Sequence, residues 1–405
     1  MPGSAPSDAR VLIAGAGPVG MAVALELAHA GIPATVLERA DDLTEDLRAS
    51  TWHPPTLDML DAIDPSLTPA LKAQGLVARH TSFRDRRTGL FAEFDMACLR
   101  GDTAHPYRIQ VEQYKFTRLV AARLKAFPHV TVRFGCKVDA VEQRADRVTV
   151  ECETGAGREA FSGAYLVGAD GAWSAVRQAI GVEFEGFTYP ERFYVASTAF
   201  DFAQALERLS YVNYVSDPDE WCVLLRTPDL WRVLFPTRVD ERDEDVVSDA
   251  STEARLQGVC ARSAAYATAH RTIYRVHQRV AKRYRVGRVF LAGDTAHINN
   301  PLGGMGMNGG LHDAGNLAGK LVKVLRGEAG EEILDLYERQ RRPIAIDYIN
   351  ANTARNKRLL EERDPAVRAR SQDEMRRAAE DPRQARAFLL KTSMIEALRA
   401  AEKVQ

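Results

Sequence analysis

Two rhythms of apolar residues alternate along this chain, and each predicts a different kind of element. Residues 10–14 end in an unbroken apolar run and predict a short buried strand. A glycine turn follows, then helical spacing over about residues 19–29, stopped by Gly31. A second strand over residues 34–37 ends in Glu38, and this β-α-β opening demands a parallel sheet. Between residues 80 and 96 the pattern changes to alternation around Arg87, Thr88 and Gly89, which predicts a hairpin in a different sheet. Helical spacing returns over residues 113–125, and strands are expected over 130–134, 148–152 and 165–168, the last running into Asp170 and Gly171. Residues 184–236 are rich in aromatic and β-branched side chains, with strand-like runs at 211–215, 221–225 and 231–235. They predict an antiparallel sheet in a second, substrate-facing domain. Residues 288–292 then return to the buried parallel pattern, and from about Glu331 the chain is helical and densely charged. Apolar positions there, Phe388, Leu389, Met394, Ile395 and Leu398, read as a packing face over the sheet domain or against another subunit.

The expected fold class is α/β. Its first domain takes residues 1–79, 100–182 and 284–345; the inserted sheet domain takes 80–99 and 183–283; residues 346–405 form a C-terminal helical region. At 405 residues the chain is long enough for two domains, each with its own core. Charge narrows the partners. The 54 Lys and Arg residues against 55 Asp and Glu leave a formal net charge of -1, without the field that gathers nucleic acid or anionic lipid. A small molecule is the expected partner. The cysteines Cys98, Cys136, Cys152, Cys222 and Cys260 are scattered, with no CxxC pair and no His at zinc-ligand spacing. They predict no metal site and buried thiols in a reducing compartment. The apolar stretch 11–30 has glycines at turn spacing, Glu26 inside it and no basic segment before it beyond Arg10, which speaks against a signal peptide. It is too short and polar to span a bilayer, so the chain is expected in the cytoplasm.

Candidate chemistry begins at Gly15-Ala16-Gly17-Pro18-Val19-Gly20, a GxGxxG between a predicted strand and helix, with Glu38 closing the next strand. Gly15 permits the tight turn, Gly17 lets backbone N–H groups approach a pyrophosphate, and Gly20 lets helix and strand pack closely. Glu38 would accept from the ribose hydroxyls. Glycine turns also occur without ligands, but this strand, helix and acid context favours a dinucleotide. It does not choose between NAD and FAD.

Two further segments make that choice. Leu166-Val167-Gly168-Ala169-Asp170-Gly171, followed by Ser174 and Arg177, resembles the DG motif of the class A flavoprotein monooxygenases, the para-hydroxybenzoate hydroxylase family. Residues 287–297, centred on Gly293 and Asp294, with the glycine-rich run 299–308, resemble that family's GD motif and the loop after it. The resemblance implies a Rossmann-type FAD-binding domain of the GR2-like kind with an inserted, mostly antiparallel substrate domain. It implies a single-component aromatic hydroxylase in which NAD(P)H binds transiently on the flavin domain and not on a separate Rossmann unit of its own. O2 would react through a C4a-hydroperoxyflavin to hydroxylate a small phenol, pyridine or aminobenzoate. Asp294 would bind the ribityl hydroxyls, and Gly304, Gly306, Met307 and Asn308 would open a helix towards the flavin N1 and C2 carbonyl. The resemblance also places Arg39, Arg48, Gln113, Val138 and Asp170 at or near the cofactor, with Pro301 lining the flavin.

For substrate and catalysis the resemblance points to Tyr211, which would face a phenol, and Arg226, which would bind an acidic group; a core aromatic and a solvated strand-end charge are their plain alternatives. His53 could reach flavin or substrate as a base, or be a turn histidine beside Pro54 and Pro55. His297 reads as structural. Around Leu224, Leu225, Arg226 and Thr227 the family's Ser and Arg grip on a carboxylate is not reproduced, which argues against para-hydroxybenzoate itself. Rival readings on the same fold are an N-hydroxylase, an epoxidase or a non-catalytic flavin protein. A halogenase lacks its Trp-x-Trp-x-Ile-Pro segment here. Monomer and homodimer both remain open.

Overall fold

The protein was analysed as a computed structural model, which describes residues 9–45, 47 and 49–405. Among these residues, a six-stranded sheet runs in the order Arg285–Val286, Val289–Leu291, Tyr165–Gly168, Val11–Ala14, Ala34–Leu37, Val130–Arg133. Every pair is parallel except the edge strand Arg285–Val286. Val11, Leu12, Ile13 and Ala14 are wholly buried, as a central parallel strand covered on both faces requires. The crossover helix Pro18–His29 begins with Pro in its first turn, where no N–H is missed, and is followed by Gly31 at φ 74°. It packs between this sheet and the long helix Gly306–Leu325.

The second large sheet has eight strands in the order His297–Ile298, Thr268–Ala281, Phe184–Thr198, Trp231–Pro236, Cys222–Arg226, Val212–Ser216, His80–Asp85, Gly89–Asp95. It is antiparallel but for the pair Val212–Ser216 with His80–Asp85. The hairpin at Gly89 therefore joins the distant sheet that its alternation predicted. Side chains alternate between two faces. Tyr194, Leu224, Trp231, Val233 and Phe235 pack with Val246 and Leu256 of the helical segment behind the sheet. Val195, Val212, Tyr214, Val223 and Leu234 point the other way, into a separate cluster.

That second cluster is closed at one end by the C-terminal helices. Phe388 stacks on Phe94 at 4.1 Å, and Leu389 and Ile395 are buried with them. Phe388, Leu389 and Ile395 of the C-terminal stripe thus pack against the eight-stranded sheet, while Met394 packs with Met305 and Ile349. Residues 335–361 run as one helix with Pro343 inside it, and the wider turns of Ile344–Asn350 follow that proline directly. The strands Lys137–Gln143, Val148–Thr154 and Gly157–Gly163 make a small meander, of which the sequence reading contained only the middle strand. Strands Phe184–Thr198 and Thr268–Ala281 are far longer than the pattern indicated. Among the described residues no helix is long and apolar enough to cross a membrane, and no cluster could hold a metal ion. All five cysteines are free; Cys136, Cys152 and Cys222 are buried, while Cys98 and Cys260 are half-exposed.

Candidate active site

Three glycine-containing segments, far apart in sequence, meet at one cavity of about 610 Å³. The first is the turn between Val11–Ala14 and Pro18–His29. Gly15 adopts φ 102°, and a Cβ there would stand 2.4 Å from the Ala169 carbonyl oxygen. A Cβ on Gly20 would lie 2.0 Å from the Gly15 oxygen, so helix and turn touch only because residue 20 is glycine. Gly17, Pro18 and Val19 line the cavity, and a Cβ at Gly17 would meet no protein atom within 4 Å. The Glu38 carboxylate closes back on the turn, accepting from Ala16 N at 2.7 Å and Ala40 N at 2.9 Å.

The second and third segments brace each other. Asp170 accepts from the Thr295 hydroxyl at 3.1 Å and from Val176 N at 3.1 Å, while Gly171 N donates to Thr295 at 3.0 Å. Arg177 adds bonds to the Thr295 and Ala172 carbonyls at 2.9 and 2.7 Å. Asp170 is therefore a bracket beside the cavity, and Asp294 is the exposed carboxylate that lines it. Gly293 is held from below: its N–H donates to Asp313, which also accepts from His297 at 2.9 Å and from Arg341 at 2.7 Å. Burial works against the Asp313 charge, yet Arg341 and His297 hold its carboxyl below the usual carboxylate range. Sequence reasoning missed Asp313 and Arg341, whose helical positions give no sign of burial as ions. His297 is the structural group expected.

The loop after Pro301 leads into the helix Gly306–Leu325, whose first turn has no side-chain cap and opens on the cavity through Gly306 and Met307. Asn308, fully buried, fastens that turn. Its oxygen accepts from His53 N at 2.9 Å and Thr56 at 2.7 Å, and its amide donates to the Thr51 and Gly304 carbonyls at 2.8 and 2.6 Å. His53 Nε2 donates to the Gly303 carbonyl at 2.9 Å. The His53 ring is wholly buried behind the loop and does not line the cavity. Burial, reinforced by the nearby Arg108 charge, pushes its pKa well below the ordinary histidine value. The place expected for a base is thus taken by a neutral clamp.

Of the other expected residues, Gln113, Pro301 and Gly304 line the cavity. Gly15, Gly20, Glu38, Val138 and Asn308 do not line it, Arg39 is exposed, and Arg48 lies outside the described residues. Tyr211 and Arg226 do not reach the cavity, and the pleat is the reason. On Val212–Ser216 the cavity-facing residues are Val212 and Tyr214; one residue earlier, Tyr211 faces away and is 38% exposed. On Cys222–Arg226 the cavity takes Val223 and Leu225, whereas Arg226 leans over Trp231 on the far side. The aromatic hydroxyls at the cavity come instead from Tyr214 and Tyr274, and the cations from Arg108, Arg232 and Arg275.

A family described as FAD binding domain matches residues 8–352. The chain belongs to this family, that of the class A flavoprotein hydroxylases. The hydroxylase is 33% identical over 402 residues to para-nitrophenol 4-monooxygenase of Pseudomonas sp. (strain WBC-3), covering 97% of both chains. It is 33% identical over 361 residues to 6-hydroxy-3-succinoylpyridine 3-monooxygenase HspB of Pseudomonas putida, covering 88% of this chain and 90% of that one. Among solved structures, p-nitrophenol 4-monooxygenase PnpA from Pseudomonas putida DLL-E4 superposes with a TM-score of 0.90 at 32% identity, over 96% of this chain and 97% of that one.

The cavity of the hydroxylase fits FAD, its family's cofactor. Two helices begin at it, at Gly17 and Met305, and neither has a side-chain cap, so free backbone N–H groups face the space where a pyrophosphate and an isoalloxazine carbonyl would lie. The open side of Gly17 leaves room for a phosphate to approach the backbone. Opposite, the eight-stranded sheet supplies an apolar wall of Val195, Val212, Val223, Leu225 and Leu234. The arrangement can therefore hold a flat aromatic molecule between a cofactor and a largely apolar sheet face.

Proposed function

We propose that the protein is an FAD-dependent, NAD(P)H-consuming monooxygenase that hydroxylates a small phenol or hydroxypyridine inside this cavity. The observation that carries the reading is the junction itself: one cavity bounded by all three cofactor motifs on one side and by the apolar sheet face on the other. The relatives named for a nitrophenol and a hydroxysuccinoylpyridine both act on a hydroxyl-bearing ring, which supports that substrate class.

Bound flavin would supply the redox chemistry: two electrons drawn from a reduced pyridine nucleotide, one atom of O2 going to the ring and the other leaving as water. The chain's own residues do the rest. Gly17, Pro18 and Val19 present the helix start to the pyrophosphate, with Glu38 at the adjoining turn for the ribose and Asp294 for the ribityl chain. Gly306 and Met307, in the first turn of the long helix, would offer their backbone N–H groups to the flavin, where negative charge collects on reduction. Val195, Val223 and Leu234 flank the substrate ring and keep water from it, which suppresses wasteful release of hydrogen peroxide. Pro301 and Gly304 hold the ring against the cofactor side of the cavity.

The test is turnover with NADH or NADPH, a panel of phenols and hydroxypyridines, and 18O2. The expected result is substrate-dependent nucleotide oxidation with a single labelled oxygen in the aromatic product. Nucleotide oxidation that yields only hydrogen peroxide across the panel, with no labelled product, overturns the reading.

A further inference from the structure

The cavity contains a cation that its surroundings do not explain. Arg108, on the short strand Arg108–Gln110, is only 3% exposed and lines the cavity. Its Nε and Nη1 find no partner among the described residues, and no carboxylate among them pairs with it. Its charge is felt by two neighbours: Tyr214, which lines the same cavity, and His53, the neutral clamp behind the loop. Burial keeps the Tyr214 phenol protonated, raising its pKa in spite of the arginine, so it does not neutralise the charge. A buried guanidinium without a counter-ion is costly, and structures that keep one use it to meet an anion.

Position says which anion. Tyr214 belongs to the apolar sheet face that flanks the substrate side of the cavity, and it is held there by stacking on Phe83 at 5.1 Å. Gly303, at the start of the glycine loop, lines the same cavity as Tyr214 and Arg108. We propose that Arg108, backed by the Tyr214 hydroxyl, seats the ionised oxygen of a phenolic substrate and so selects ring acceptors bound as phenolates. This deepens the hydroxylase reading and rests on it. The planar guanidinium offers two aligned N–H donors to one oxygen, while the valine and leucine side chains leave the ring faces without polar demands. Tyr211 and Arg226, on the other face of the sheet, have no part in it.

The test uses FAD-loaded protein with 4-nitrophenol as the probe, whose phenolate and neutral forms differ in colour, and 4-nitroanisole, which cannot ionise. Equilibrium dialysis gives both affinities, absorbance gives the ionisation of the bound phenol, and flavin released by denaturation gives the FAD content. Wild type is expected to bind 4-nitrophenol as the yellow phenolate, with its pKa lowered by about one unit or more. It should bind 4-nitroanisole at least about tenfold more weakly. Arg108→Met is expected to weaken 4-nitrophenol about tenfold to hundredfold and abolish both the colour shift and the discrimination, with FAD content unchanged. Arg108→Lys, which keeps the charge without the fork, should recover only part.

The proposal is overturned if wild type binds the two probes equally, a comparison that needs no variant to fold. It is overturned also if Arg108→Met loses FAD while retaining the discrimination, which would make the arginine a cofactor group. A wild-type protein that takes up no FAD would sink the functional reading instead, and the two-probe comparison on that protein would still decide the role of Arg108.

Discussion

Replacing Asn308 by Ala removes four hydrogen bonds from behind the glycine loop, those with His53 N, Thr56, Thr51 and Gly304. Thr56 keeps a partner, because its hydroxyl also meets His312 at 2.9 Å. The His53 N–H and the Thr51 and Gly304 carbonyls are left stranded in the interior. Each stranded group costs about 1–3 kcal/mol, and partial relaxation holds the sum to roughly 3–5 kcal/mol. That lowers the thermal midpoint by roughly 5 °C. Because the loosened loop must be ordered again when FAD binds, affinity for FAD should fall about tenfold to hundredfold, at about 1.4 kcal/mol per tenfold. Asn308→Asp should do no better, since it keeps the acceptor but turns an oxygen towards two carbonyls. The assay is fluorescence titration of flavin-free protein with FAD, alongside thermal melting. If the variant binds FAD with wild-type affinity and melts with wild type, the loop does not depend on this anchor and the reasoning is wrong.

Other substitutions probe the remaining supports. Gly20→Ala places a Cβ 2.0 Å from the Gly15 carbonyl, so turn and helix must part; FAD content should drop at least about tenfold with the helical circular dichroism retained. Asp313→Asn strips the counter-ion from buried Arg341 and should cost about 3–5 kcal/mol in denaturant unfolding; a loss under about 1 kcal/mol would refute its role beneath Gly293. His312 is pushed down to about 3 by burial and by Arg341, so the fold keeps it neutral while the unfolded chain protonates near the ordinary histidine value. Stability is therefore complete above that value and declines as pH falls towards about 3, by up to about 1.4 kcal/mol per pH unit from this group. His53, shifted the same way, adds to the slope. Urea midpoints at neutral and mildly acidic pH should show the decline, and His312→Gln should flatten it; parallel profiles for the two proteins would contradict the assignment.

The cofactor half of this protein was legible because its chemistry is carried by backbone. Glycines at fixed spacing between a strand and a helix are visible as letters; Gly15 and Gly20 make the close contacts of the turn, and Gly17 lines the cavity. The substrate half is carried by side chains on strands, where a single step in register reverses the face. Tyr211 and Tyr214 lie in one short segment, as do Arg226 and Arg232 on neighbouring strands, and alternation alone does not say which face meets the cavity. Pairing does: Leu234 opposite both Val195 and Val223 fixes the phase for three strands, and that is long-range information. Arg108 was invisible for another reason. Its strand is three residues long, too short for any rhythm, and gains its place only by pairing with Thr51–Trp52 and Leu76–Ala78. A buried Arg in such a strand is a signal only once its burial is known. Asp313 and Arg341 hide in the same way, as ordinary charges on helices until packing removes them from water.

The functional reading of this hydroxylase depends on three separated segments closing around one flavin. Titration of flavin-free wild-type protein with FAD, followed by quenching of flavin fluorescence and by the visible spectrum, tests this most directly. The expected result is saturable binding of a single FAD per chain, with a resolved flavin spectrum that shifts when a phenol is added. Protein that stays folded, leaves FAD fluorescence unchanged and remains colourless at saturating FAD would contradict it.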